Sequence, residues 1–284
     1  MAVKLDVTTY VSKSSRPVVK NEHMITALIL TGIALTVYLI GRNKKSRKPR
    51  EYPPMEASSK RILQDKVVFY SKLNSTEKVQ FEQRILHFIA TTKITGVQVD
   101  VALDDKLLVA AGAIIPVFHF PGWEYFNLNE VLLYPGLFDE NFNTEGRGRM
   151  ISGMVGRGVM EGKMILSKKS LHLGFDNTTD KKNVAIHEFI HLIDKADGQI
   201  DGVPSLLVNR AFALPWLELI RHKIKEIERK KSDINSYGAT SVEEFFPVSA
   251  EYFFERPKLL KRKHPKLYAE LEEIFIPERA KKTT

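Results

Sequence analysis

Residues 184–194, Val-Ala-Ile-His-Glu-Phe-Ile-His-Leu-Ile-Asp, constrain this chain more than any other stretch. Ile186, Phe189, Ile190 and Ile193 recur at i, i+3, i+4 and i+7, the spacing of an amphipathic helix with one buried stripe. His187, His191 and Asp194 then share a different face, because helical residues three and four apart lie above one another. A fold built on this helix must bury the apolar stripe and still leave a polar space over the histidines. Asp197-Gly198 ends the helix, and Thr178, Thr179 and Asp180 are the candidate N-caps ahead of it.

The same residues carry a chemical signature. His187-Glu188-Phe189-Ile190-His191 is the H-E-x-x-H arrangement, in which two imidazoles bind zinc and the Glu acts as general base. Three fixed positions recur by chance in roughly a few percent of chains with eight His in 284 residues, so a third ligand has to be found. The continuation H-x-x-G-x-x-H is excluded, since positions 194 and 197 are both Asp. His222 falls among Arg221, Lys223 and Lys225, on the solvated face of a helix predicted at about 214–230 with the stripe Leu217, Ile220, Ile224 and Ile227. His264 lies in the basic run Lys261-Arg-Lys-His. Neither suits a zinc site. Glu244 and Glu251 remain, seven apart and so on one helix face, amid Phe245, Phe246, Phe253 and Phe254. Carboxylates in so apolar a stretch need a partner. Spacing leaves both open as the third ligand.

Charge is unevenly distributed. Residues 1–50 hold ten Lys/Arg against two acids, so nearly all of the formal net charge of +9 sits there. The remainder is close to neutral, which argues against nucleic-acid binding. There is no Cys, which excludes disulfides, thiolate nucleophiles and Cys-ligated zinc. Residues 24–41 form an uncharged apolar run of eighteen, just long enough to span a bilayer, followed by the basic run Arg42-Asn-Lys-Lys-Ser-Arg-Lys-Pro-Arg50. The expectation is an N-terminal tail (1–23), one transmembrane helix (24–41), a basic linker (42–54) that meets anionic headgroups, a catalytic domain (55–276) and a C-terminal tail (277–284). Six Lys/Arg after the span and four before it predict a single-pass membrane protein with the large C-terminal part in the cytoplasm.

Between the linker and the motif, Asn74-Ser-Thr-Glu77 has capping-box spacing ahead of Phe81, Ile85, Phe88 and Ile89, which predicts a helix over 75–91. Val97, Val99 and Val101 alternate as in a strand. Asp104-Asp105 opens a helix through Leu107 to Ile115, Glu130–Tyr134 reads as a short strand, and 139–149 as a loop. Val155–Val159 and Lys163–Leu166 suggest a hairpin around Glu161-Gly162. His119 and His172 are left outside the site as ordinary core or surface histidines.

The chain resembles the Mlc titration factor A-like zinc peptidases, which are related at the active site to the anthrax lethal factor protease domain. The resemblance covers most of 70–275. It is carried by Leu73-Asn-Ser-Thr-Glu77, Leu107-Leu-Val-Ala-Ala111, Val131-Leu-Leu-Tyr-Pro135, Ala185-Ile-His-Glu-Phe-Ile-His-Leu-Ile-Asp194, Gly202-Val-Pro204, Tyr237, and most specifically Glu244-Phe-Phe-Pro-Val-Ser-Ala-Glu-Tyr-Phe-Phe254. It implies an α+β, zincin-like metallopeptidase domain, mostly helical with a small mixed sheet. It also implies Zn2+ held by His187, His191 and Glu244, Glu188 as general base, and Tyr237 facing the substrate carbonyl oxygen. Glu251 becomes a supporting residue, and Asp194 orients a ligand His or caps the helix. The implied activity is zinc-dependent hydrolysis of peptide or protein substrates, aminopeptidase-like on small peptides. The alternative is a non-catalytic regulatory protein that sequesters a cytoplasmic partner such as a transcriptional repressor. Two departures stand out. Pro247 replaces the small residue usual after Glu-Phe-Phe, and a helix starting there would leave Glu244 on its approach. Some relatives have a metal-contacting His in the segment matching 150–157, which here reads Met150-Ile-Ser-Gly-Met-Val-Gly-Arg157.

Overall fold

The computed structural model describes residues 51–204, 207–208 and 210–277, together with Thr26 and Gly32. The chain from Glu51 is mostly helical around a four-stranded mixed sheet, as the resemblance implied. Helices α1 (Ala57–Lys66), α2 (Val68–Ser71) and α3 (Ser75–Thr91) come first. The Asn74 side chain accepts from the Glu77 amide at 3.0 Å and the Glu77 carboxylate accepts from the Asn74 amide at 2.9 Å, so the capping box starts α3 where expected. Strand β1 is Lys93–Gly96, ahead of the alternating valines. The valine pattern fails as a strand because the chain turns back after Gly96: a Cβ there would sit 1.8 Å from the Val99 carbonyl oxygen.

Helix α4 (Leu103–Ile114) is buried along most of its length, and strand β2 (Glu130–Tyr134) falls where its apolar run predicts. Strand β3 (Gly153–Val155) and β4 (Lys163–Ser167) pair antiparallel, with the connection 156–162 longer than the expected hairpin turn. The sheet order is β1-β2-β4-β3, with β1, β2 and β4 parallel and β3 an antiparallel edge strand.

Helix α5 (Lys168–Asp176) leads into α6 (Val184–Asp194), which carries the histidines. The N-cap of α6 is Asn183, whose side chain accepts from the Ile186 amide at 3.2 Å, three residues beyond the expected caps. Then come α7 (Arg210–Glu228), a 3-10 turn at Ser236–Ala239, α8 (Val242–Glu255), α9 (Pro257–Lys263) and α10 (Pro265–Phe275). Helix α7 begins four residues before the prediction and runs through Pro215.

The apolar stripe of α6 is wholly buried: Ile186, Phe189, Ile190 and Ile193 are at most 2% exposed. Phe189 meets Phe88 and Tyr125 at ring distances of 5.6 and 5.1 Å. Helix α4 crosses behind α6 at Gly112, where a Cβ would lie 2.5 Å from the Cβ of Ala185. Two small residues thus let the backbones approach, and the histidine face is turned away from the core. On α8, Phe245, Phe246 and Phe253 point into a core shared with Trp216 and Phe275, which turns Glu244 and Glu251 toward α6.

The membrane placement is corrected. Among the described residues no helix is long and apolar enough to cross a membrane. The apolar helices α4 and α6 have 12 and 11 residues, against the roughly 20 that a span needs, and the 19-residue α7 carries charges along its outer face. The stretch 24–41 lies outside the described residues apart from Thr26 and Gly32. The cytoplasmic side assigned to the C-terminal part rested on that span and falls with it.

Candidate metal centre

The first turn of α8 delivers the third acidic group. Ser241 is its N-cap, accepting from the Glu244 amide at 3.2 Å, so the helix starts at Val242 and not at Pro247. Pro247 sits inside the helix, where it removes one bond to the Glu243 carbonyl. Phenylalanine packing on either side keeps α8 continuous. Glu244 therefore projects from a formed helical turn onto the histidine face of α6.

Three side chains converge there. Nε2 of His187 lies 3.0 Å and Nε2 of His191 lies 3.4 Å from Oε2 of Glu244, and one ligand atom from each lies within 4.8 Å of the others. Behind His187, its Nδ1 donates to Oε1 of Glu251 at 2.7 Å, while Oε2 of Glu251 accepts from the Asn183 amide at 2.5 Å. This fixes the His187 tautomer with the Nε2 lone pair facing Glu244. A lone pair and a carboxylate oxygen 3.0 Å apart need a proton or a cation between them. Burial alone would lower the His187 pKa, yet Glu251 and Glu244 push it up to about 10. Glu244, despite its own burial, is held far below the usual carboxylate range by His187 and His191. A bridging proton satisfies this arrangement, and a divalent cation would displace it. Among the described residues no Lys or Arg pairs with Glu188, Glu244 or Glu251. Two imidazoles and one carboxylate, open on one side, are a donor set that suits catalytic zinc.

Glu188 is 6% exposed, and burial raises its pKa against the pull of the two histidines. Gly153 of β3 packs on it so tightly that a Cβ would fall 2.6 Å from Oε1 of Glu188. Sequence reasoning missed Gly153, because nothing in a lone glycine reveals which side chain it must admit. Tyr237, on the 3-10 turn, is half exposed, with its ring 5.9 Å from that of His187. Burial and the nearby Glu244 and Glu188 push its pKa up to about 12, so its hydroxyl is a neutral donor. Asp194 does not hydrogen-bond His191. Its Oδ2 accepts from the Gly202 amide at 2.9 Å, while its Oδ1 and the Nδ1 of His191 are buried without partners. Burial pushes Asp194 up to about 7. His222 is solvated, and His264 bonds Asp233 at 2.8 Å, so neither approaches the centre.

The centre opens into two cavities of about 480 and 600 Å3 that share Ile151, Gly153, His187, Glu188 and Tyr237. The first continues past Met154, Val155 and Gly156, and the second past Met150, Ser152 and Leu173.

Residues 41–276 match the family described as glucose-regulated metallo-peptidase M90. The chain belongs to this metallopeptidase family. An uncharacterized protein of Synechocystis sp. is 27% identical over 271 residues, covering 89% of this chain and 97% of its own length. Mlc titration factor A of Serratia proteamaculans is 26% identical over 161 residues, 52% of this chain and 59% of its own. The protein of that name from Klebsiella pneumoniae is 24% identical over 212 residues, 69% and 77% of the two chains. Membership in the Mlc titration factor A-like metallopeptidases, expected from the spaced motifs, is thereby shown. A His/His/Glu cluster that could hold a metal fits this family.

Proposed function

We propose that this chain is a zinc-dependent peptidase in which His187, His191 and Glu244 hold the metal and Glu188 moves the proton. The observation that carries the reading is the convergence of two imidazoles and one carboxylate, with no Lys or Arg among the described residues paired to them, beside a buried carboxylate at the floor of an open cleft. When bound, zinc supplies Lewis acidity, lowering the pKa of water from near 16 to roughly 7 and polarising a carbonyl. Glu251 holds the His187 ring in the tautomer that leaves Nε2 free. Glu188 accepts the proton of the attacking water and returns it to the departing amine. The Tyr237 hydroxyl donates to the oxygen that gains charge as the carbonyl is attacked. Strand β3 offers the peptide a backbone partner at the cleft.

The test is direct. The purified chain is expected to bind about one zinc, and Glu188→Gln to keep it while losing hydrolysis. Unchanged hydrolysis in that variant would sink the mechanism. A second reading comes from the relatives named Mlc titration factor A, a name that points to a binding role. On that reading the scaffold binds a protein partner, such as a transcriptional repressor, without cleaving it. Glu188 favours the first reading, because a binder has no use for a buried general base beside a metal site.

A further inference from the structure

We propose that one face of this protein, built from the loop 180–182, the stretch 223–233 and α9, docks an acidic stretch of a protein partner. The face lies outside the cleft and goes beyond the peptidase reading. It would serve a partner that is cut and one that is only bound.

Charge is sorted within the folded part as it is along the whole chain. Residues 51–277 hold thirty Lys/Arg and thirty-one Asp/Glu, a net charge of −1. Residues 180–182, 223–233 and 256–263 together hold twelve Lys/Arg and four Asp/Glu. These three segments therefore carry +8, and the rest of the folded part carries −9.

The fold brings the segments together, although they are far apart in sequence. Asp233 is the point of assembly. Its carboxylate accepts from His264 at 2.8 Å, from Lys263 at 3.1 Å and from Lys181 at 3.3 Å. Its backbone carbonyl accepts from Lys181 as well. Nδ1 of His264 lies 3.4 Å from Nζ of Lys223, on α7. Arg256 donates to the Thr179 carbonyl at 3.3 Å, which ties the start of α9 to the 180–182 loop.

The acids present offset only part of this charge. Among the described residues, Asp233 and Glu226 pair with three lysines and two histidines, and no ion pair reaches Lys230, Lys231, Lys258 or Arg262. All four are exposed. Like charges held side by side repel, and an anion from another molecule relieves that repulsion.

The kind of anion follows from the composition of the face. Nine of its twelve cations are lysines, which act as point charges, whereas planar two-bond capture of phosphate favours arginine. The large apolar side chains that this protein exposes, such as Leu173 and Leu214, fall outside the three segments. Without an apolar wedge the face has nothing to bury in a lipid surface. Of the rings beside it, Tyr252 is buried and Tyr268 is covered by Lys261 at 5.0 Å, so neither is a platform for unpaired bases. Carboxylates on a polypeptide fit what remains. Lys182 brings the face to the rim of the larger cavity, so a partner held here stands beside the cleft without filling it.

The test titrates the full chain into a fluorescein-labelled peptide of about ten residues, roughly 30 Å when extended, with Asp and Glu alternating with Gly and Ser. Binding is read by fluorescence anisotropy at low and at physiological salt. The expected result is salt-sensitive binding, about tenfold tighter than that of the same peptide with Asn and Gln for its acids. Reversing Lys231→Glu, Lys258→Glu and Arg262→Glu together is expected to weaken binding about tenfold, with the thermal melting curve unchanged. The milder pair Lys258→Gln and Arg262→Gln, which only removes charge, is expected to weaken it about threefold. Because residues 42–50 are also basic, a control chain carries Lys44→Glu, Lys45→Glu and Arg47→Glu, and it is expected to bind like the parent. Loss of binding in the control, with the face variants unaffected, overturns the inference. Equal binding of the acidic and amide peptides overturns it too. Tighter binding of single-stranded DNA of equal charge, or of phosphatidylserine vesicles, assigns the face to that anion and overturns the polypeptide reading. None of these outcomes touches the peptidase reading, which is tested at Glu188.

Discussion

Among the described residues, two places bring histidine together with carboxylate at distances that would suit a metal: His187 with His191 and Glu244, and His172 with Asp104 and Asp105. Their surroundings differ in one respect. Asp105 is fully buried but receives Lys168 at 2.8 Å, His172 at 2.7 Å and the Ala102 amide at 2.7 Å, and Lys66 approaches Asp104 at 3.6 Å. The Lys168 ammonium and the hydrogen bonds from Lys168, His172 and the Ala102 amide hold its carboxyl below the usual range despite burial. Around Glu244, among the described residues, the partners are two imidazoles, one of them fixed by a second carboxylate, and the Tyr237 hydroxyl, with no lysine or arginine. Buried anions need compensation. At Asp105 the chain supplies it from lysine, and at Glu244 from imidazoles that could hold a metal instead. A cluster with metal-like spacing becomes a candidate centre only where the protein has not already neutralised it.

Mutation can break this contrast in several places, and the largest effect is expected at Glu188. Glu188→Gln should cost about 1,000-fold in peptide hydrolysis while zinc content by atomic absorption stays near one per chain. At the other cluster, Asp105→Ala should leave zinc unchanged but lower stability by about 3 kcal/mol in denaturant unfolding, because Lys168 and His172 lose their buried partner. A fall in zinc content there would abolish the distinction. Glu251→Gln should weaken zinc binding by about 10- to 100-fold in a competition titration, since the amide cannot hold His187 as the carboxylate does. The smallest effect concerns Glu255, which burial and the neighbouring Glu251 and Asp180 push up to about 8. A carboxyl raised in the folded state stabilises the fold below its unfolded pKa, and that contribution is lost as pH rises toward 8. Melting curves should therefore show stability falling between about pH 5 and 8, and Glu255→Gln should flatten the slope and gain about 1 to 2 kcal/mol at pH 8.

Much of this was legible in the residues. Helix α3 starts at its capping box, β2 occupies its apolar run, and the stripe of α6 is buried as its spacing requires. These features are local, set by side chains a few positions apart. The errors were of another kind. The valines at 97, 99 and 101 alternate without pairing, because strand formation depends on a neighbour, and the neighbour β2 pairs with Lys93–Gly96 instead. The start of α6 at Asn183 was missed since Asn183 is held by Glu251, sixty-eight residues away. Pro247 left the start of α8 open, and the cap at Ser241 with the buried phenylalanines carries the helix through it.

The spacing of four between His187 and His191 determined that both imidazoles share one helix face, and the spacing of seven between Glu244 and Glu251 placed both carboxylates on one face of another helix. These follow from helical geometry, which a chain carries in its own order. Which of the two glutamates meets the Nε2 atoms, and which sits behind His187, was decided only when α8 packed on α6. That choice rests on the burial of Phe245, Phe246 and Phe253 against Trp216 and Phe275, and on the close crossing of Gly112 with Ala185. The direction of the cleft along β3 was likewise a tertiary outcome, for an edge strand exists only once the rest of the sheet has formed.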